Sequence, residues 1–175
     1  MRVPRGHDFR PAMDRLRQGV FSSLGARVEG ARFIDLFAGT GSYGLEALSR
    51  GAAGGWFVER DREAVATLRG NAAAVCCSAG VALEAVRISS ADAFLWTPPP
   101  GEEADLIFID PPFAEIPSVA EPLLRRCAGF LRRDPPGVLL FEMPGEVEIA
   151  SPGWQFVRRI GRGRGQPTCC LYVSG

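Results

Sequence analysis

Short apolar runs alternate along this chain with longer segments of mixed polarity. Asp14 to Leu24 places Leu16, Val20, Phe21 and Leu24 at helical spacing, which predicts a helix with one apolar face. Arg32 to Phe37 predicts a strand that runs into Ala38-Gly39-Thr40-Gly41, and Gly44 to Ser49 continues as a helix closed by Gly51. Gly55 to Glu59 is a second strand, Asp61 or Arg62 through Ala79 a long helix, and Val86 to Ser89 a third strand. Leu106 to Asp110 is an apolar strand stopped by Pro111-Pro112. Ser118 to Leu131 predicts a further helix and Gly137 to Glu142 a fifth strand. Trp154 to Ile160 and Thr168 to Val173 predict a closing pair around an arginine-rich loop.

Strands alternating with helices predict an α/β fold, a mostly parallel sheet with helices on both faces. The last two strands have no helix between them, so one of them must run antiparallel. Sheets of this kind bind ligands at the carboxyl ends of their strands, where the strand order reverses. Here those ends carry Asp35, Glu59, Asp92 and Asp110.

Composition narrows the class. At 175 residues the chain can bury a core without disulfide or metal staples. Its apolar runs all fall short of the ~20 residues of a membrane span, and Met1 to Arg10 is too polar for a signal peptide, so a cytoplasmic protein without membrane attachment is expected. Cys76, Cys77, Cys127, Cys169 and Cys170 form no C-x-x-C pair, which points to reduced thiols and no metal site. All twenty basic residues are arginine. The absence of lysine excludes a lysine nucleophile, a Schiff base and a Walker-A loop. Formal charge is +0, but residues 1–34 carry +4, residues 35–150 carry −8 and residues 151–175 carry +4. Basic ends around an acidic middle fit a phosphate-binding footprint or ordinary solvated surface; charge alone does not decide between them.

Gly39-Thr40-Gly41-Ser42-Tyr43-Gly44 satisfies G-x-G-x-x-G directly between a strand and a helix. Glu59 ends the next strand eighteen residues after Gly41, where a carboxylate can take a ribose diol. These residues fit either a nicotinamide dinucleotide or S-adenosylmethionine. Asp35 favours the second, since its charge repels a pyrophosphate and attracts a cationic methionine end. Asp92, in Ser90-Ala91-Asp92-Ala93, suits either an adenine amino group or a helix N-cap.

Asp110-Pro111-Pro112-Phe113 decides the matter. The prolines stiffen the loop, so the Asp110 carboxylate and the Pro111 carbonyl aim at one small target. Two acceptors suit the two N–H donors of an exocyclic amine, whose lone pair is then turned toward a methyl sulfonium. Phe113 is placed to stack on an extruded base.

With Asp35-Leu36-Phe37-Ala38-Gly39-Thr40-Gly41 and Asp110-Pro111-Pro112-Phe113 both present, the chain resembles class I S-adenosylmethionine-dependent methyltransferases, which share a Rossmann-like seven-stranded sheet. Its segment Arg10-Pro11-Ala12-Met13-Asp14-Arg15-Leu16-Arg17-Gln18-Gly19-Val20-Phe21-Ser22-Ser23-Leu24 resembles the R-P-T-x-D-R-V-R-E-x-L-F-N-x-L of the RsmD family of 16S ribosomal RNA guanine-N2 methyltransferases, departing at Ala12, Gln18 and Ser22. Gly44 to Ala52 is also similar to that family's first helix. The resemblance implies a basic extension and helix over residues 1–30 and a methyltransferase unit over 31–175. It implies S-adenosylmethionine against Asp35, Phe37, Gly39, Thr40, Gly41, Glu59, Arg60, Asp92 and Ala93, with catalysis at Asp110, Pro111, Pro112 and Phe113. Arg10, Arg15, Arg17, Arg162 and Arg164 are the candidate RNA contacts, the partner being ribosomal RNA or an assembling small subunit and the enzyme a monomer.

The alternatives are a DNA adenine or cytosine amino methyltransferase, which usually needs an extra recognition segment, and a non-catalytic RNA-binding relative, which needs no acidic strand ends. A protein-glutamine methyltransferase typically has Asn at the position of Asp110. A nicotinamide oxidoreductase leaves Asp-Pro-Pro-Phe unexplained. His7, the single histidine, is assigned no role, and Trp56, Trp96, Cys169 and Cys170 are read as packing residues.

Overall fold

The computed structural model describes residues 9–175, with side chains from Ala12 onward. His7 lies outside the described residues, as does the side chain of Arg10. The elements in chain order are α1 (Phe9–Leu24), β1 (Arg32–Leu36), α2 (Ser42–Ser49), β2 (Gly54–Glu59), α3 (Arg62–Ala79), β3 (Val86–Ser90), β4 (Leu106–Ile109), α4 (Ile116–Cys127), β5 (Val138–Pro144), β6 (Trp154–Ile160) and β7 (Pro167–Ser174). Single-turn 3₁₀ segments at Gly25–Val28 and Leu83–Ala85 lead into β1 and β3.

The seven strands lie in the order β3-β2-β1-β4-β5-β7-β6. Strands β1 to β5 pair in parallel, and β7 runs antiparallel between β5 and β6. This is the expected α/β sheet with its one reversed strand. The order turns back between β1 and β4, so the loops after β1, β2, β3 and β4 gather at one edge of the sheet.

Two apolar clusters flank the sheet, as its parallel strands require. On one side Leu16, Val20, Phe21 and Leu24 of α1, Tyr43, Ala47 and Leu48 of α2 and Leu68 and Cys76 of α3 meet Phe33, Phe57, Phe108 and Leu140. Tyr43 stacks on Phe108 with ring centroids 5.3 Å apart, and Phe21 packs tilted against both at 5.8 to 6.4 Å. On the other side Ile116, Ala120, Leu123, Leu124 and Cys127 of α4 cover Ile34, Leu36, Ile107, Leu139 and Phe141. Cys169 and Cys170 are buried on opposite faces of β7, and Trp56 and Trp96 pack with the α4 cluster, in keeping with their reading as packing residues.

The helix predicted over Ser118 to Leu131 instead spans Ile116–Cys127. Pro117 opens it because a proline is preorganised for the first turn, where an N–H is not needed. It ends early because the next residues are drawn into the sheet. Ala104 N donates to the Phe130 carbonyl and Arg132 N to the Ala104 carbonyl, both at 2.8 Å, a pairing distant in sequence that helical periodicity does not register. α3 matches its expected bounds, with Asp61 Oδ1 accepting from Ala64 N at 2.8 Å and Gly80 closing it in the left-handed conformation.

Gly44 sets how closely α2 approaches the sheet. A Cβ there would lie 2.3 Å from the Phe57 ring and 2.6 Å from that of Phe33. Gly44→Ala is expected to destabilise the fold by about 1–3 kcal/mol through overpacking. Gly70→Ala, at an open position of α3, is expected to stabilise it by about 0.5–1 kcal/mol. Urea midpoints of the two variants against the parent test both signs.

Candidate active site

The loop after β1 is shaped by two carboxylates. Asp35, 2% exposed, accepts the Gly44 N–H at 2.9 Å, and Glu59 Oε2 accepts the Gly39 N–H at 2.8 Å. Glu59 Oε1 also takes the Asp61 N–H at 2.7 Å, so this carboxylate pins the loops after both β1 and β2. Gly39 (φ 53°) and Gly41 (φ 95°) supply backbone that favours glycine, and a Cβ on Gly41 would sit 2.5 Å from Leu68. Phe37 adopts φ 60° despite its side chain, a strain of order 1–3 kcal/mol held by the surrounding bonds. That backbone turns its ring edge-on to Phe94, centroids 5.2 Å apart.

A cleft of ≈ 480 Å³ opens at the carboxyl edge. Phe37, Glu59, Arg60, Asp92 and Ala93 line one part of it, and Asp110, Pro111, Pro112 and Phe113 the other. Of the nine residues expected at a cofactor, Asp35, Gly39, Thr40 and Gly41 do not line this cleft; Asp35 and Gly41 are buried, Gly39 is half-buried and Thr40 is exposed. Asp92 lines the cleft, and its Oδ1 accepts from Phe94 N at 2.8 Å, capping a turn where the N-cap reading expected a helix. The turn is braced from α4, where Arg126 donates to the Trp96 carbonyl at 2.7 Å.

Asp110 follows β4 directly, and its rigid loop continues into α4 through the Glu115 N–H to Pro112 carbonyl bond of 2.9 Å. Phe113 is 36% exposed beside the Arg60–Glu115 ion pair of 3.8 Å. Burial is the main reason the Asp35 carboxyl is pushed up to about 7, with the Glu59 charge adding and the Gly44 N–H opposing. Asp110 is raised well above the carboxylate range, first by burial and then by the charges of Glu142 and Asp35.

The arginines separate into two groups. Arg15 and Arg162, 147 positions apart in sequence, line one groove of ≈ 260 Å³ that shares Pro167 with the cleft. Arg17 pairs with Asp14 at 2.7 Å, and Arg164 lies on the exposed β6–β7 loop near Glu146. Arg159, inside the arginine-rich stretch, points inward instead: it donates to the carbonyls of Pro144, Gly145 and Val147 and to Thr168 Oγ1. A guanidinium satisfying four acceptors within the fold braces the β5–β6 loop and is withdrawn from any phosphate.

Residue patterns gave Met13 and Pro167 no role, placed Glu142 at the end of the fifth strand as a lining residue, and left Tyr43 open between a cofactor contact and packing under its helix. Met13 of α1, Pro167 of β7 and Glu142 of β5 line the cleft, and Tyr43 of α2 donates to Glu142 Oε2 at 2.6 Å. For Glu142 a signal was present, a single acid within the apolar strand Val138–Pro144. Met13 and Pro167 offered none. Among the described residues there is no cluster of three or more metal-ligating side chains, and no helix long and apolar enough to cross a membrane.

Residues 1–173 match the family described as Conserved hypothetical protein 95. Ribosomal RNA small subunit methyltransferase D of Escherichia coli (strain K12) is 38% identical over 111 residues, 63% of this chain and 53% of that protein. The enzyme of the same name from Haemophilus influenzae is 38% identical over 63% of this chain and 56% of its own length. The chain thus spans about half the length of the curated relatives it matches. Among solved structures, yhhF from Escherichia coli superposes with a TM-score of 0.76 at 30% identity, covering 99% of this chain and 91% of that one. An RNA methyltransferase from Salinibacter ruber in complex with S-adenosyl-L-homocysteine superposes at 0.60 with 20% identity over 98% of this chain and 94% of that one, a likeness of fold. The sheet order, the cleft at its carboxyl edge and a match over nearly the whole sequence agree: the chain has the Rossmann-like class I methyltransferase fold and belongs to the Conserved hypothetical protein 95 family, the RsmD-like family that its Arg10–Leu24 and Asp110–Phe113 segments resemble.

Proposed function

We propose that the protein is an S-adenosylmethionine-dependent methyltransferase acting on the exocyclic N2 amino group of a guanine in small-subunit (16S) ribosomal RNA, as a cytoplasmic monomer. The observation that carries this reading is the placing of Asp110-Pro111-Pro112-Phe113 across one cleft from Glu59 and Asp92. The donor set suits the cofactor. Glu59 keeps acceptor capacity for two ribose hydroxyls, Asp92 offers a carboxylate to an adenine amino group, and Phe37, Val58, Ala91 and Ala93 supply apolar wall. When bound, the cofactor supplies a methyl group already activated as a sulfonium.

The chain's own residues do the rest. Asp110 and the Pro111 carbonyl accept the two N–H bonds of the amine and orient its lone pair, and Asp110 takes the proton released as the new bond forms. Pro112 keeps the loop stiff, and Phe113 at the cleft mouth stacks on the base. Residues 1–30 are the basic extension to the methyltransferase unit 31–175, and α1 and the β6–β7 loop face the RNA. Arg15 and Arg162 grip a phosphate in the groove beside the cleft, aided by Arg10, Arg17 and Arg164, with guanidinium forks matched to phosphate oxygens.

Calorimetric titration with S-adenosylmethionine and, separately, with NAD tests the cofactor assignment: the first is expected to bind and the second not. Asp110→Ala should lower the rate of methyl transfer by about 10²–10⁴-fold and leave cofactor affinity within about twofold. Glu59→Gln should instead weaken cofactor binding by about tenfold or more, since a hydrogen bond to a charged group contributes about 1.5–3 kcal/mol. Near-parental turnover in Asp110→Ala defeats the catalytic assignment. Mass spectrometry of digested product RNA is expected to show N2-methylguanosine; methylated adenine or cytosine would favour the other amino-methyltransferase reading. The double variant Arg15→Ala/Arg162→Ala should weaken binding to 16S RNA and reduce the slope of log affinity against log salt by about 0.7 for each phosphate no longer neutralised.

A further inference from the structure

Glu142 is 3% exposed in an otherwise apolar strand, yet it lines the cleft. Leu139, Phe141 and Met143 point to the α4 side, so Glu142 shares with Leu140 the face covered by α1 and α2. Tyr43 Oη reaches down from α2 and donates to Glu142 Oε2 at 2.6 Å. Ile109 of β4 registers with Phe141 of β5, and one step further the chain places Asp110 beside Glu142 on strands about 4.8 Å apart. Strand register therefore brings two acidic residues together at the cleft, Glu142 buried and Asp110 half-buried.

The groups facing this pair are Asp35 from β1, Tyr43 from α2, Cys169 from β7 and Arg17 from α1. A like charge at a neighbouring position disfavours the ionised form of a carboxyl, as does burial. Burial raises both carboxyls, and the charge of Glu142 raises Asp110 further. The Tyr43 hydrogen bond and the Arg17 charge act the other way on Glu142 and favour its anion.

We propose that Glu142 is a positioning residue for Asp110: anchored by Tyr43, it holds the pair to one shared proton until an amino-bearing edge with adjacent N–H donors enters the cleft. The identity of that edge rests on the function proposed above; the pairing of the carboxyls does not. Guanine presents N1–H next to its N2 amino group, so both carboxylates gain donors and the shared proton leaves to solvent. Adenine places the N1 lone pair beside its amino group, against a carboxylate. As the amine nitrogen bonds to the methyl carbon and the carbon–sulfur bond breaks with its electron pair kept by sulfur, the surplus N–H proton passes to Asp110. The pair returns to its one-proton state.

The test is a pH titration of the full chain labelled with ¹³C at Asp and Glu carboxyls, the Asp110 signal being assigned by its loss in Asp110→Asn. In the parent protein Asp110 should titrate above the ordinary carboxylate range. In Glu142→Gln, which keeps the shape and removes the charge, its midpoint should fall by about one pH unit or more. Tyr43→Phe should raise the midpoint of the Glu142 signal, and this variant carries the test should Glu142→Gln not fold. Methyl transfer, which needs ionised Asp110, should rise with pH through the same midpoint and extend to lower pH in Glu142→Gln. An Asp110 midpoint in the ordinary range, an Asp110 midpoint unmoved in Glu142→Gln, or a Glu142 midpoint unmoved in Tyr43→Phe overturns the proposal. Failure of the parent to bind S-adenosylmethionine would overturn the function and leave the carboxyl titration to decide this inference separately.

Discussion

A carboxylate buried beneath a loop must find its donors in the protein, and Asp35 finds one in the backbone of Gly44, 2.9 Å away. That bond ties the first turn of α2 to the end of β1, and Glu59 ties the same loop to β2 through Gly39. The rest of the site depends on this double fastening. It holds Phe37 in a backbone conformation that bulky residues avoid, and so fixes the aromatic wall shared with Phe94. α2 can descend this far only because Gly44 has no Cβ to strike Phe33 and Phe57, and its descent brings Tyr43 onto Glu142.

The charge distribution acquires meaning in three dimensions. The acids of the middle segment are brought together at strand ends: Asp35, Glu59, Asp110 and Glu142 all gather at the carboxyl edge, where burial pushes Asp35, Asp110 and Glu142 toward their neutral forms and neighbouring acids add to the shift of Asp35 and Asp110. Around this acidic floor lie arginines from the two basic ends, Arg15 from α1 and Arg162 from the β6–β7 loop. In the function proposed above, the N–H-rich edge of the base sits at the centre and a phosphate at the rim. The same polarity would make NAD, with its pyrophosphate, a poor occupant of the floor.

The opposite face contributes rigidity. α4 covers the second apolar cluster and, through Arg126, holds the loop that follows Asp92 by its carbonyls. The loop from Asp110 to Glu115 runs straight into α4, so both walls of the cleft are fixed to one helix. Arg159 plays a comparable part at the far end of the sheet by binding the β5–β6 loop from within.

Apolar periodicity and glycine or proline punctuation are local properties, so the strands and helices, the parallel sheet with one reversed strand, and the strand-end residues Glu59, Asp92 and Asp110 were legible in the sequence by itself. The end of α4 was not, because Phe130 and Leu131 are apolar at helical spacing and leave the helix only to meet Ala104. Nor did residue type distinguish Arg159, which is internal, from Arg162, which lines a groove. The sequence determined which chemistry stands at the end of each strand. Only the tertiary structure decided that Tyr43, Asp110 and Glu142 form one buried group and that Arg15 and Arg162 share a groove, since their meeting depends on strand register and helix packing between segments far apart in the chain.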